Sequence, residues 1–389
     1  MYTVILKKGE EKRLMQYHPW VYANEVYKIE GKDKQGSIAR VESFDNRFIG
    51  LGYINHASKI LVRILTWKEE EIDRNFFYKR ICAANQRRVQ LGYSNNYRVV
   101  FGENDLLPAL IVDKYGDYLS VQFLSLGMEV RKQMIVDILV EIFNPKGIYE
   151  RSDVAVREKE GLPLIKGKLY GEFSPEVIIE ENGLKLLVDL ENGQKTGYFL
   201  DQKENRDNLK CYVKGNTVLD CFCNEGGFSL CAAKYGAKQV ESVDISQKAI
   251  DLVNKNAELN GFTNINAVQA DVFQILREYK AEKRKFDVVV LDPPAFTKSK
   301  DTVKEAYAGY RDINILGLKL LNENGFLVTC SCSQHLTINL FLEMIKESAI
   351  KSGRKVKMVE LRTQGKDHST FIGLDEGLYL KVAVLQVIE

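Results

Sequence analysis

From Gly215 onward the chain alternates short apolar strand-like runs with helical stretches. The runs are Val218 to Cys221, Gln239 to Asp244, Ile265 to Gln269, Phe286 to Leu291 and Gly325 to Cys330, then Val356 to Leu361 and Tyr379 to Val387. Such alternation is satisfied by a parallel sheet wrapped by helices, here closing with an antiparallel end. In open α/β sheets ligands bind outside the carboxyl ends of the strands. Two of those ends are chemically marked: Leu291 to Phe296 reads L-D-P-P-A-F, and Thr329-Cys330-Ser331-Cys332-Ser333 follows the apolar run Phe326 to Val328. A rigid Asp-Pro-Pro elbow and a strand-end thiol facing one crevice suit a cysteine that adds to a planar base while a carboxylate steadies its ring nitrogen.

The first strand of the series leads into Asp220-Cys221-Phe222-Cys223-Asn224-Glu225-Gly226-Gly227-Phe228-Ser229, after which a helix begins. Glycines there let the backbone approach a ligand closely, and the helix N-terminus favours a negative group. The spacing differs from the dinucleotide fingerprint G-x-G-x-x-G, which argues for a smaller anion, such as a carboxylate, rather than a pyrophosphate. Acidic residues recur at the strand ends: Asp220, Asp244 after 24 residues, Asp271 after 27 and Asp292 after 21. An acid ending the second strand is placed to hold a ribose diol, and one at the third could accept from an adenine amino group. Asp also starts turns and caps helices, and Ser246 could cap one. Taken as an ordered set, the four carboxylates point to a ligand with ribose, adenine and ammonium donors, which S-adenosylmethionine carries.

The 389 residues suffice for two or three domains, and 45% hydrophobic with 28% charged residues excludes large-scale disorder. A net charge of +2 hides an uneven distribution: residues 1–90 hold 17 Lys+Arg against 11 Asp+Glu, leaving 38 against 42 for the rest. A basic front end fits contact with a phosphate backbone, as well as a merely solvated surface. The seven cysteines show C-x-C pairs at Cys221/Cys223 and Cys330/Cys332 without matching His or Cys clusters, so neither a zinc site nor a disulfide scaffold is expected. The opening Met1 to Lys8 is too soon interrupted by charge for a signal peptide, and apolar runs fall short of membrane-spanning length, so a reducing cytoplasm is the expected compartment.

Ahead of the alternating region, β-rich runs at Thr3 to Leu6, Ser37 to Val41, Phe48 to Tyr53 and Ile60 to Leu65 predict a small β-barrel or sandwich. A helix is expected from about Glu70 to Leu91, with Ile72, Phe76, Phe77, Ile81 and Val89 on one side, Arg80, Arg87 and Arg88 among the polar positions, and Gly92 as terminator. The middle section, about Tyr97 to Glu181, reads strand (Leu110 to Asp113), strand (Tyr118 to Phe123), helix (Met128 to Phe143), strand (Gly147 to Glu150), strand (Val177 to Glu180). Leu184 to Leu190 and Thr196 to Leu200 flank Glu191-Asn192-Gly193 and predict a hairpin, because Asn-Gly supplies the positive φ angles of a tight turn.

Asp220 to Ser229, Val243-Asp244, Ala270-Asp271 and Asp292-Pro293-Pro294 resemble the motifs of class I S-adenosylmethionine-dependent methyltransferases. More narrowly, Gly193-Gln194-Lys195-Thr196-Gly197-Tyr198-Phe199-Leu200-Asp201-Gln202 with Asn205-Arg206 is similar to the hairpin of bacterial large-subunit rRNA 5-methylcytosine methyltransferases that carry an N-terminal PUA domain. The start of that PUA domain is resembled by Lys7-Lys8-Gly9 and His18-Pro19-Trp20-Val21-Tyr22-Ala23-Asn24-Glu25. The resemblance covers essentially the whole chain and implies a multidomain α/β protein: a PUA-like RNA-binding β-barrel over residues 1–70, a linker helix and central α+β (EEHEE-like) domain over 71–182, and a β-hairpin plus Rossmann-like methyltransferase domain over 183–389. It also implies that Lys195, Thr196 and Phe199 help cover the cofactor, whose other neighbours would be Asp220, Cys223, Asn224, Gly226, Gly227, Asp244, Ile245, Ser246, Asp271, Val272 and Asp292. A homodimer is compatible with it.

The implied reaction is methylation of cytosine C5, which is too electron-poor to take a methyl group until a thiolate adds at C6. Asp292 would contact N3 and favour its protonated form. Cys332, within Ser331-Cys332-Ser333, matches the family's Ser-Cys-Ser and is the first choice of nucleophile; Cys330, after Thr329, resembles the Thr-Cys of other RNA cytosine methyltransferases and is the alternative. Cys221, Cys223 and Cys231 read as small packing residues. Many RNA cytosine methyltransferases carry a second cysteine just after the Asp-Pro-Pro prolines, where this chain has Ala295-Phe296, so the acceptor of the C5 proton is unassigned. Asp-Pro-Pro-x-Phe is also close to the motif used to methylate exocyclic amines, a reading under which Cys332 is dispensable. Pro293, Pro294 and Phe296 would meet the target base, and Lys298 and Lys300 phosphate. Lys7, Lys8, Lys12 and Arg13 would orient RNA through its backbone, with a loop or single-stranded target favoured because the base must leave its stack. His18 and Trp20 read as core or turn residues.

Overall fold

A computed structural model describes residues 1–297, 299–374 and 377–388. The chain divides into two compact units: Met1–Ile179 with Val188–Leu200 and Lys366–Gly377, and Glu180–Leu187 with Asp201–Gly365 and Leu378–Glu389. Among the described residues no helix is long and apolar enough to cross a membrane.

The first unit opens with β1 (Tyr2–Leu6), a short helix α1 (Lys12–Met15), β2 (Trp20–Tyr22), β3 (Val26–Glu30), β4 (Ile38–Glu42), β5 (Phe48–Ile54) and β6 (Ile60–Thr66). They form one sheet in the order β2-β6-β5-β4-β1-β3, with β1 parallel to β4 and the other pairs antiparallel. Its core is the inward-facing set that includes Val4, Leu6, Val41, Val62 and Ile64. Gly52 is demanded by the packing, since a Cβ there would lie 2.1 Å from the Arg63 carbonyl oxygen on the neighbouring strand. The two strands of this sheet not expected from sequence, β2 and β3, are a three-residue strand and one without a fully buried residue, so neither carries a clear alternation.

The expected helix is α2 (Arg74–Gln90), capped by Asp73, whose carboxylate accepts from the Phe76 amide at 2.8 Å. Its buried face departs from the expectation: Val89 is 53% exposed, and Arg88 is buried in its stead. Arg88 donates to both oxygens of Asp105, at 2.5 and 2.7 Å, and to the Asp367 carbonyl at 2.7 and 3.1 Å. This pairing lets a guanidinium occupy a core position that periodicity assigns to an apolar residue.

A five-stranded sheet follows, in the order β11-β10-β9-β8-β7, from β7 (Asn96–Phe101), β8 (Leu110–Tyr115), β9 (Tyr118–Phe123), β10 (Gly147–Ser152) and β11 (Ile165–Tyr170). The single helix expected over 128–143 is two, α3 (Leu126–Glu129) and α4 (Lys132–Phe143). The strand expected near Val177 belongs elsewhere: β12 (Glu176–Glu181) pairs with β13 (Leu184–Asp189) as a separate two-stranded ribbon. The hairpin expected around Glu191-Asn192-Gly193 is therefore displaced by one Asn-Gly. Asn182 and Gly183 take the two positive φ angles, 52° and 68°. At the later site the Asp189 carboxylate instead accepts from the Glu191 and Asn192 amides, at 3.0 and 2.9 Å, and Thr196 to Leu200 forms no strand beyond the isolated bridge of Gln194 with Gly197.

In the second unit the sheet order is β16-β15-β14-β17-β18-β20-β19. The strands are β14 (Thr217–Cys221), β15 (Gln239–Asp244), β16 (Ile265–Gln269), β17 (Phe286–Leu291), β18 (Leu321–Ser331), β19 (Val356–Arg362) and β20 (Lys381–Val387). The first five are parallel, and β20 is antiparallel to both β18 and β19. A short helix α5 (Lys203–Asp207) precedes them; α6 (Gly227–Lys234), α7 (Gln247–Leu259), α8 (Val272–Ala281), α9 (Val303–Leu320) and α10 (Ile338–Ser352) lie between them. The parallel, wrapped sheet with its antiparallel close is as expected. Strand order reverses between β14 and β17, which makes the carboxyl ends of these two strands the topological switch point.

Candidate active site

The turn after β14 is built for close backbone approach. Phe222 and Asn224 take left-handed φ values of 61° and 47°, and Gly226 at 84° opens α6. A Cβ on Gly226 would meet Val253 at 3.1 Å, so both the angle and the space call for glycine. The turn is tied to β15 by hydrogen bonds from the Cys223 amide to the Val243 carbonyl and from the Asn224 amide to Asp244, both 3.0 Å. The other Asp244 oxygen accepts from the Ser246 amide at 3.0 Å. Ser246 caps α7 through the Ala249 amide, Asp271 caps α8 through the Gln274 amide, Val272 is buried at the start of α8, and Ile245 is 67% exposed.

Asp220 is fully buried. One carboxylate oxygen accepts from Ser229 at 2.6 Å; the other has no hydrogen-bond partner among the described residues. Burial pushes this carboxyl up to about 7, against the Ser229 hydrogen bond and with help from the charges of Asp292 and Asp244. An orphaned carboxylate oxygen in a group of acids is a site that a ligand cation completes, and the ammonium and sulfonium of S-adenosylmethionine fit that requirement. Cys221 and Cys223 are buried with thiols pushed well above their ordinary value, chiefly by burial, and Cys231 is pushed up to about 12, so none of the three is set up to ionise.

Asp292, just past β17, accepts from Gln202 Nε2 at 2.9 Å. Gln202 is oriented by Asn205, which donates to its Oε1 at 2.8 Å and accepts from Arg362 at 2.9 Å. Cys330 is fully buried, and its thiol is pushed well above the ordinary value by burial and by the adjacent Asp292 carboxylate, with Gln202 opposing. Cys332, two residues on and beyond the strand, is half-buried and makes a 3.9 Å contact with the Pro293 carbonyl. The two candidate thiols thus differ sharply in access. Lys381, the first residue of β20, donates to the Ser333 and Tyr379 carbonyls at 2.7 and 2.9 Å. Burial lowers its pKa to about 8, and Cys332 acts in the opposite sense. Tyr310 and Lys381 carry no sequence signal for a place here, since packing alone brings them together, whereas Gln202 closes the hairpin-like segment that carries the resemblance but has no role assigned by it.

Pro293 is buried and Pro294 exposed. The ring of Phe296 packs on Tyr310, 4.5 Å between centroids, and on Phe273 at 5.8 Å, so its half-buried face belongs to an aromatic cluster. The Tyr310 hydroxyl bonds Ser333 at 2.8 Å. Lys298 lies outside the described residues.

The remaining expected site residues belong to the first unit. Thr196 is buried, with its hydroxyl 2.5 Å from an Asp113 oxygen and 3.0 Å from the Tyr115 hydroxyl. Lys195 sits over the Phe199 ring at 4.6 Å. Lys8 and Lys12 are exposed; Lys7 reaches the Asn24 carbonyl, and Arg13 is paired with Glu25 at 3.1 Å. Trp20 bonds Glu103 through its indole N–H at 2.9 Å, and His18 packs edge-on against it, which makes both structural residues of that domain.

A family model described as an S-adenosylmethionine-dependent methyltransferase matches residues 166–378, and a PUA-like domain model matches residues 4–67. The ribosomal RNA large subunit methyltransferase I of Vibrio cholerae is 45% identical over 387 residues, covering 97% of this chain and 98% of the relative. That of Shewanella amazonensis is 43% identical over 389 residues, covering 98% of each. Among solved structures, a protein described as a SAM-dependent methyltransferase from Streptococcus mutans shares the fold, with a TM-score of 0.84 at 24% identity and full coverage of both chains. A switch-point crevice with an orphaned buried acid, a glycine turn and a strand-end thiol is thus met by matches over the whole length, and the chain belongs to the S-adenosylmethionine-dependent methyltransferases, in the family of the ribosomal RNA large subunit methyltransferases I.

Proposed function

We propose that the protein methylates C5 of a cytosine in large-subunit rRNA through a covalent adduct between Cys332 and C6. The names of the relatives, ribosomal RNA large subunit methyltransferase, support the substrate class. The observation that carries the mechanism is the contrast between the thiols: Cys332 is half-buried beyond the strand, whereas Cys330 is sealed against a carboxylate that opposes its ionisation.

S-adenosylmethionine supplies the methyl group. Asp220 would face its cationic end, Asn224, Gly226 and Gly227 its amino-acid portion, Asp244 to Ser246 the ribose, and Asp271 with Val272 the adenine. In the reaction the Cys332 thiolate forms a bond to C6 while Asp292, held by Gln202, favours the protonated N3. The resulting enamine carbon C5 takes the methyl group as the donor's carbon–sulfur bond breaks with its electron pair staying on sulfur. C5 then gives its proton to a water molecule, the C5–H pair restores the C5–C6 double bond, and the sulfur–C6 bond breaks with its pair returning to Cys332. Pro293, Pro294, Phe296 and Lys298 would border the target nucleotide. We further take residues 1–70 as the RNA-holding domain, with Lys7, Lys8, Lys12 and Arg13 on phosphate, 71–182 as the central domain, and 183–389 as the catalytic domain, in which Lys195, Thr196 and Phe199 help cover the cofactor. A cytoplasmic homodimer belongs to the same reading.

The test is methyl transfer from labelled S-adenosylmethionine to large-subunit rRNA, followed by nucleoside analysis, in wild type, Cys332→Ala and Cys330→Ala. The expected product is 5-methylcytidine, abolished by Cys332→Ala and retained by Cys330→Ala. A methylated amino nitrogen that survives both changes overturns the covalent mechanism.

A further inference from the structure

Lys381 is 3% exposed, and among the described residues no carboxylate pairs with its ammonium. Its hydrogen bonds go to the Ser333 and Tyr379 carbonyls, which leaves one of its three N–H groups over. Burying an ammonium without a counter-ion is costly, so such a group normally has an anion to answer. The register of β18 with β20 sets Lys381 opposite Ser331, and its ammonium bonds the Ser333 carbonyl, so the charge lies at the backbone segment that carries Cys332. Among the described residues, Cys332 is the ionisable group whose charge acts on the Lys381 ammonium.

Among the described residues, the other titratable groups near the pair do not act on this ammonium. Tyr310 on α9 bonds Ser333, and burial holds its phenol in the protonated form. Cys330 is kept a neutral thiol by burial. Asp292 is bonded by Gln202 and acts on Cys330, and Tyr379 gives its hydroxyl to Asp201 at 2.5 Å.

We infer that Lys381 is a positioning residue whose buried ammonium is the counter-charge of the Cys332 thiolate, so that the nucleophile rests ionised before RNA arrives. This deepens the reading of Cys332 as nucleophile and rests on it for its catalytic meaning; the ion pair itself is a property of the free protein. The role is electrostatic, and arginine can fill it where an uncharged side chain of similar length cannot.

The experiment is the pH dependence of iodoacetamide alkylation of the full-length protein without ligand, read by peptide mass spectrometry with fragmentation that assigns the label to Cys332. Wild type, Lys381→Met and Lys381→Arg are compared, with thermal melts to confirm folding. In wild type the midpoint for Cys332 is expected below the ordinary thiol value of about 8.5. Lys381→Met is expected to move it up by about one pH unit and slow alkylation at pH 7 about tenfold, with Lys381→Arg close to wild type. A wild-type midpoint at or above that of an ordinary thiol overturns the proposal even if Lys381→Met does not fold. An unmoved midpoint in folded Lys381→Met overturns it as well. Methyl transfer by Cys332→Ala decides the nucleophile separately, so a displaced midpoint together with surviving methylation would retain the ion pair and reject the nucleophile.

Discussion

Asp220 carries the clearest consequence of a single residue's setting. Its carboxyl is pushed up to about 7 by burial, above the value near 4 of an unfolded chain. The stability that this shift contributes is therefore complete below about pH 4 and is lost as pH rises through about 7. The ligand-free melting temperature should fall over that interval relative to Asp220→Asn, as followed by calorimetry. Binding of S-adenosylhomocysteine, whose ammonium favours the ionised form, should tighten from pH 6 to pH 8 in wild type and stay flat in Asp220→Asn, as measured by titration calorimetry. Gln202→Leu removes the donor to Asp292; a hydrogen bond to a charged group is worth about 1.5–3 kcal/mol, so methyl transfer should slow by roughly tenfold or more with cofactor affinity kept. Asp220, Asp292 and Cys332 were legible in the sequence because each ends a recognisable apolar run. Lys381 and the contact of Gln202 with Asp292 were not, because each reaches the site from a segment distant in the chain whose position depends on packing.

At the level of elements, the strands of the second unit were read close to their observed bounds, except that β18 begins at Leu321 rather than Gly325 and β20 at Lys381 rather than Tyr379, because continuous apolar runs between turn residues have few other solutions. The glycine turn shows how tightly one such junction is specified. Gly226→Ala forces a left-handed φ of 84° on a side chain and drives its Cβ against Val253, so it should cost about 1–2 kcal/mol in chemical unfolding and weaken cofactor binding. Ser246→Ala, which removes the cap of α7, should cost about 1 kcal/mol. The displaced hairpin marks the limit of local signals: two Asn-Gly pairs lie ten residues apart, and only the pairing of β12 with β13 selects the first. At the second, Asp189 offers the backbone a competing turn.

For the whole molecule, the ion pairs buried in the first unit matter more than their number suggests. Arg88→Met removes the buried bidentate partner of Asp105, which keeps Arg87 at 2.9 Å and the Phe101 amide at 2.7 Å, and should lower stability by about 1.5–3 kcal/mol, read from denaturant melts. If the basic front end holds RNA, binding of an rRNA fragment should weaken steeply with added salt, and Lys8→Ala with Lys12→Ala should flatten that dependence in filter-binding assays. The sequence by itself determined the class of fold, the places of the strands along the chain and the acids and thiols at their ends, because hydrophobic periodicity and turn chemistry are local. Only the tertiary structure decided which thiol is accessible, that a guanidinium replaces Val89 in the buried face of α2, and that a lysine from β20 bonds the Ser333 carbonyl next to Cys332. Those outcomes depend on which distant groups share a desolvated volume, and burial and charge in that volume are set by the packed chain as a whole.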